Sequence, residues 1–242
     1  MSRETLPIIY RDETLVAIHK PTGLLVHRSD IARQETRFAV QILRDQLGQQ
    51  VTPLHRLDRG TSGVLLFAFD PRLTVDWSTV DKIYLAVVRG HAPEQGEIDH
   101  PLAPPPDPYA PRAPIAQPAL TRFQRLATTE LPFAVDRYPS SRYSLVRLDP
   151  VTGRRHQLRR HMKHIAHPII GDATYGKGRH NRFFGEHFAV PRLLLACLEL
   201  HLPHPITRQP LMLSAPLDGE FARLIRALDW QHSLPERWLA AE

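Results

Sequence analysis

The chain has 242 residues, enough to bury a full core as one large domain or as two half-domains sharing a sheet. Its 31 Lys and Arg against 25 Asp and Glu give a formal charge of +6, which favours an anionic partner without being extreme. The single cysteine, Cys197, excludes an intrachain disulfide and an all-cysteine zinc site. No apolar run reaches membrane-spanning length, and no signal-peptide core follows Arg3 and Glu4, so a soluble, reducing, cytoplasmic setting is expected. Arginine dominates lysine, which suits bidentate phosphate contact and base stacking, although a GC-rich genome would also raise arginine and proline.

Ile8-Ile9-Tyr10 and Leu15-Val16-Ala17-Ile18 read as two short strands joined by a turn, and Lys20-Pro21-Thr22-Gly23 turns the chain again. Ala39, Ile42, Leu43 and Leu47 share one helical face, so residues 35–47 are predicted as a helix stopped by Gly48. Val64-Leu65-Leu66-Phe67-Ala68-Phe69 is an unbroken apolar run and reads as a buried strand. Residues 82–88 form a strand with Tyr84, Ala86 and Val88 on one face and Ile83, Leu85 and Val87 on the other. Nine prolines among residues 91–118 exclude a helix or a central strand there, so this segment is expected as an extended loop, a spacer between two halves of a sheet. Strands are expected at 120–126, 143–148, 193–202 and 210–213, with helices at 153–166 and from Asp218 onward, the last burying Phe221, Leu224, Ile225 and Leu228. Strands in runs with few intervening helices predict an α+β fold with a mostly antiparallel mixed sheet flanked by helices.

His55-Arg56-Leu57-Asp58-Arg59-Gly60-Thr61-Ser62-Gly63 places one carboxylate between two arginines on a short loop that enters the core. The cations favour the ionised carboxylate and attract a phosphate. Two readings stand at this point: a nucleophile or base acting on nucleic acid, and an Asp–Arg ion pair that only fixes the loop. Thr152-Gly153-Arg154-Arg155-His156-Gln157-Leu158-Arg159-Arg160-His161-Met162 is the second informative segment. Leu158, Met162 and Ile165 make an apolar stripe, and Arg155 and Arg159 share its edge. Arg154 and Arg155 are placed in the first helical turn, where the helix dipole disfavours cations and a docked anion would offset it. A solvated basic face is the plainer reading. His156, His161, His164 and His167 rotate around such a helix and do not converge on a metal, and no His-Glu-x-x-His is present. No phosphate-loop motif or Gly-x-Ser-x-Gly elbow occurs.

Together these segments resemble the large-subunit-rRNA/tRNA type of pseudouridine synthases. The Asp58 segment is similar to that family's catalytic motif, Lys82-Ile83-Tyr84 to its second and residues 152–159 to its third. Lys20-Pro21-Thr22-Gly23 and His167-Pro168-Ile169-Ile170-Gly171-Asp172-Ala173-Thr174-Tyr175-Gly176 fit as well, in order, from about residue 8 to 214. Val26-His27-Arg28-Ser29, residues 137–143 and residues 179–188 are most similar to the C-type branch, which modifies uridine 65 in the tRNA T-stem. The resemblance implies one catalytic domain over 1–242, with its cleft across the middle of the sheet and no N-terminal S4-type RNA-binding domain. Two departures are a shortened segment at 70–81 and Ala196-Cys197 where the family commonly has His-Ala.

The resemblance implies isomerisation of uridine to pseudouridine with no cofactor and no metal. Asp58 is then the nucleophile or base, Arg159 its partner, and Tyr84 a stacking ring whose hydroxyl serves in proton transfer from C5. Leu158 would pack near the uracil and Arg56 would fill the helix position of the flipped nucleotide. Arg59, Arg154 and Arg155 are phosphate-contact candidates. The expected partner is RNA, foremost tRNA, with no membrane, no obligate protein partner and a monomeric chain. Alternatives are an rRNA enzyme of the same family, a non-catalytic RNA-binding protein on this scaffold, and a metal-dependent hydrolase using the histidines.

Overall fold

Apolar alternation along the chain is realised in one large sheet. The computed structural model describes residues 4–28, 35–104 and 115–239. Its strands are β1 (Ile8–Arg11), β2 (Leu15–Lys20), β3 (Thr52–Pro53), β4 (Ser62–Ala68), β5 (Asp81–Arg89), β6 (Gln95–Asp99), β7 (Leu120–Leu131), β8 (Ser141–Pro150), β9 (Leu195–Pro203) and β10 (Pro210–Ser214). The order is β1-β2-β4-β9-β5-β8-β7-β6, with β3 beside β4 and β10 beside β9. All pairings are antiparallel except β4 with β9. That parallel seam is two residues long, Ser62 against Ala196 and Gly63 against Cys197, after which β9 changes neighbour and pairs with β10. Gly63 has φ +111°, and a Cβ on it would lie 1.9 Å from the Cys197 carbonyl oxygen, so only glycine permits the seam.

Helices α1 (Ala39–Leu47), α2 (Gln157–His164), α3 (Gly178–His187) and α4 (Gly219–Ala227) flank the sheet. Leu43 of α1 packs with Leu15, Phe67 and their neighbours on one half. On the other half, one face buries Ile83, Leu85 and Val87 against α3 and α4, and the opposite face buries Ala86 and Val88 against Leu158 and Met162 of α2. The expected alternation of β5 is thus what divides the two faces. Asp218 caps α4 by accepting from the Phe221 N–H at 3.1 Å, and Phe221, Leu224, Ile225 and Leu228 are buried as expected.

Several boundaries differ from the sequence expectation. α1 begins at Ala39, not near 35, because Phe38 is extended and bridges Leu25 in parallel. Within 91–118, residues Gln95–Asp99 form the edge strand β6 on β7. The extended-loop reading is corrected there, because the chain between Pro93 and Pro101 is free of proline and an edge strand tolerates prolines beyond its ends. The rest of the proline cluster, Pro105 to Pro108, lies outside the described residues. The segment at 70–81 holds one 3-10 turn, Trp77–Thr79, as its shortness suggested. Among the described residues no helix is long and apolar enough to cross a membrane.

Candidate active site

The site is built where the sheet changes partners, from the loop before β4, from β5 and from α2. Lys20, fully buried, fixes the loop: its Nζ donates to the carbonyls of Pro21 (2.9 Å), Leu24 (2.7 Å) and Arg59 (3.2 Å). Gly23 N–H donates to the Arg59 carbonyl at 2.8 Å and the Thr22 hydroxyl to that of Gly60 at 2.8 Å. Burial, then the charge of Arg192, push Lys20 down to about 7, and Asp58 pulls the other way. His55 Nε2 accepts from the Leu66 N–H at 3.1 Å and pins the loop to β4.

Asp58 emerges from this loop half-buried, its side chain 28% exposed, and Arg159 Nη1 donates to its Oδ2 at 3.0 Å. Those residues stand 101 positions apart in the sequence. Arg159 also forms a bidentate pair with Asp172, Nε to Oδ2 at 2.7 Å and Nη2 to Oδ1 at 2.8 Å. Burial works against the guanidinium charge, but the hydrogen bond and charge of Asp172, then of Asp58, hold the Arg159 pKa above its ordinary value. Burial likewise opposes ionisation of Asp172, while Arg159 and the N–H groups of Tyr175 and Thr174 hold its carboxyl below the usual range. Gly171, just before Asp172, has φ +78°, and a Cβ there would lie 1.7 Å from the Arg192 carbonyl oxygen.

Tyr84 sits at a bulge in β5, opposite Leu148 on β8 and Cys197 on β9. It packs against the cluster that contains Leu158, which is 7% exposed. Burial first, then the charge and hydrogen bond of Cys197, raise the Tyr84 pKa well above its ordinary value. Cys197, buried as expected, is itself pushed up to about 12 by burial.

The other arginines are distributed differently from the expectation. Arg59 turns away from Asp58, pairing with Glu35 at 2.8 Å and the Gly23 carbonyl at 3.1 Å. Arg56 is exposed and makes no hydrogen bond or ion pair among the described residues. Neither flanking arginine is therefore the counter-ion of Asp58. Arg154 and Arg155 are not in a first helical turn, because α2 starts only at Gln157. His156 at its N-cap is left-handed, and the Gln157 side-chain oxygen accepts from the Arg154 N–H, closing a turn instead of a helix. Arg154 reaches the Pro118 carbonyl at 3.0 Å, and Arg155 is exposed and does not share an edge with Arg159.

The four histidines do not converge on one point, although two of them share His100. His161 binds the Thr121 hydroxyl and the His100 carbonyl, His164 stacks on His100, and His167 binds the Arg89 carbonyl. His156 faces Asp58, with Nε2 3.8 Å from Oδ1, and its Nδ1 lies 3.1 Å from the Tyr175 hydroxyl. Lys20, Asp172, Tyr175 and His156 were not singled out as site residues by sequence reasoning. Asp172-Ala173-Thr174 carried a readable sign, an Asx turn that aims the carboxylate back at its own backbone.

Residues 14–164 match the model of a family described as RNA pseudouridylate synthase. The chain is 47% identical over 239 residues to tRNA pseudouridine synthase C of Vibrio cholerae, covering 95% of this chain and 98% of that one. It is 48% identical over 236 residues to tRNA pseudouridine synthase C of Pasteurella multocida, covering 93% and 97%. Among solved structures, human RNA pseudouridylate synthase domain containing 4 superposes with a TM-score of 0.67 at 26% identity over 92% and 93% of the two chains. Human RNA pseudouridylate synthase domain containing 1, at 24% identity and a TM-score of 0.66 over 95% and 96%, shares the fold.

Proposed function

The chain belongs to the RNA pseudouridylate synthase family, and from that membership we propose that it isomerises a uridine of tRNA to pseudouridine, at position 65 of the T-stem. The observation that carries this reading is the 47% and 48% identity, over nearly the full length, to tRNA pseudouridine synthase C of two species. The choice of uridine 65 rests on the similarity of residues 26–29, of which Ser29 lies outside the described residues, 137–143 and 179–188 to the C-type branch.

The chemistry breaks the bond between uracil N1 and ribose C1′, turns the base and joins C5 to C1′. Asp58 is the nucleophile or base, and the hydrogen bond from Arg159 to Oδ2 orients it with Oδ1 left for the substrate. Asp172 positions Arg159, and so acts through it. Tyr84 stacks on the uracil beside Leu158. Held neutral by burial, its hydroxyl acts as a relay, its oxygen taking the C5 proton as its own passes on, the net transfer ending on the N1 freed from C1′. Arg56, exposed beside the loop, takes the place of the flipped nucleotide in the stem. Arg155, also exposed, contacts phosphate, with Arg59 and Arg154 flanking. The reaction needs no cofactor, and we place the protein in the cytoplasm as a monomer.

The test is to map pseudouridine in tRNA and rRNA from a strain lacking this protein, then to complement it with wild type and with Asp58→Asn. Loss of the tRNA uridine-65 site, restored by wild type and not by Asp58→Asn, is expected. A missing rRNA site with intact tRNA would reject the tRNA assignment.

A further inference from the structure

His156 has a backbone that its side chain does not explain locally. It sits at φ 54° and ψ 27°, a left-handed conformation disfavoured for a residue with a Cβ, and its ring makes no capping hydrogen bond to α2. Such a conformation persists where surrounding structure holds it, and here it aims the imidazole into the cleft. The ring lies edge-on to Tyr175, at 74° and 5.7 Å between centroids, and Nδ1 meets the Tyr175 hydroxyl at 3.1 Å. Tyr175 is in turn held over Arg159, 5.1 Å from its guanidinium carbon to the ring centroid.

The other nitrogen, Nε2, points to Asp58 Oδ1 at 3.8 Å. Oδ1 is the oxygen that Arg159 leaves open, since Arg159 takes Oδ2. A lone pair on Nε2 would repel that carboxylate, so the tautomer with the proton on Nε2 is favoured, with the Tyr175 hydroxyl donating to Nδ1. Burial, opposed by Asp58 and reinforced by Arg159 and Arg155, lowers the imidazole pKa, and Asp172 opposes it weakly, so the ring is neutral near pH 7. At 3.8 Å the two atoms do not bond to each other. A single oxygen seated about 2.9 Å from both would close a triangle with them. To satisfy both it must accept from Nε2 and donate to Oδ1. A hydroxyl does this, and a carbonyl or a phosphate oxygen does not.

We propose that His156 and Asp58 Oδ1 together bind the ribose 2′-hydroxyl of the flipped uridine, making His156 a residue of substrate recognition at the reacting sugar, with Tyr175 positioning it. The inference rests on the uridine reading above and adds to it a demand for ribose over deoxyribose at the target.

The experiment is a cycle of two enzymes and two substrates. Wild type and His156→Asn, asparagine being at ease in the left-handed region, are assayed on tRNA carrying either uridine or 2′-deoxyuridine at the target. Wild type should lose about tenfold to hundredfold in kcat/KM on the deoxy substrate. His156→Asn should lose a similar factor on the ribose substrate and then change by less than about threefold on the deoxy one. Tyr175→Phe should lose a smaller factor and discriminate less between the two. The proposal is overturned if the two losses multiply independently, if His156→Asn processes the ribose substrate as fast as wild type, or if Tyr175→Phe discriminates fully. A merely structural histidine would give multiplying losses and a lower melting temperature. Where the deoxy substrate is not turned over, the same cycle is read from its inhibition constant in each enzyme, set against KM for the ribose tRNA. Wild type that makes no pseudouridine in tRNA would instead overturn the broader reading.

Discussion

Two of the carboxylate networks among the described residues end differently. Glu199 on β9 has both oxygens taken: Oε1 accepts from Arg237 at 2.7 Å and from the Trp238 indole, and Oε2 meets His201 at 2.6 Å. Its side chain is wholly inaccessible, and the network ties the C-terminal segment to the sheet. The Arg159 network also saturates one carboxylate, Asp172, but leaves Asp58, whose side chain is 28% exposed, with one oxygen that accepts no hydrogen bond among the described residues. A network that closes on itself is suited to stability, whereas one that keeps an unmet acceptor leaves room for a substrate, as the role proposed for Asp58 requires.

The strongest way to break this contrast is Asp58→Asn. Pseudouridine formation on tRNA should fall by about 10⁴-fold or more, while the melting temperature and tRNA affinity stay near those of wild type. Next, Arg159→Met strands the buried Asp172 charge, so unfolding in denaturant should show a loss of about 3–5 kcal/mol together with loss of activity. Glu199→Gln should cost about 1–3 kcal/mol and leave kcat intact, which separates the two networks by function. It also carries a pH signature. Burial opposes ionisation of Glu199, but Arg237, Trp238 and His201 hold its folded pKa below the ordinary value. That stabilisation is complete above the unfolded pKa of about 4.3 and is lost as pH falls through the folded one. Acid melting curves of Glu199→Gln should therefore be flatter than those of wild type. The smallest effect is Arg155→Ala: stability within about 0.5 kcal/mol, kcat unchanged, and a slope of log affinity against log salt reduced by about one.

Much of the framework was legible because it depends on local pattern. The alternation of residues 82–88, the Asp218 cap and the Gly48 stop each state their structure in a few residues. The partnership of Asp58 and Arg159 was legible only through motifs, since no spacing rule joins residues 101 apart. The arginines at 154 and 155 misled because the start of α2 is set by a left-handed histidine, a conformation that residue type does not advertise. Helix α3 was missed because Gly178 and Gly185 weaken its propensity, while its buried positions, His180 and Phe184, give only one helical step. The ends of β7 and β8 extend to Leu131 and Ser141 because they pair with each other beyond the apolar stretch.

Gly63 and Gly171 gain a further meaning when taken together. Each presses its bare Cα against the same stretch of chain, one on the Cys197 carbonyl and the other on that of Arg192, with Gly60 resting on Leu193 between them. The loop bearing Asp58 and the loop bearing Asp172 are thus gauged from a single ruler, the segment that runs into β9. A methyl group added to either glycine would shift one carboxylate against its counterpart without touching Arg159. The tolerance of the guanidinium clamp is therefore set by two residues that carry no side chain at all.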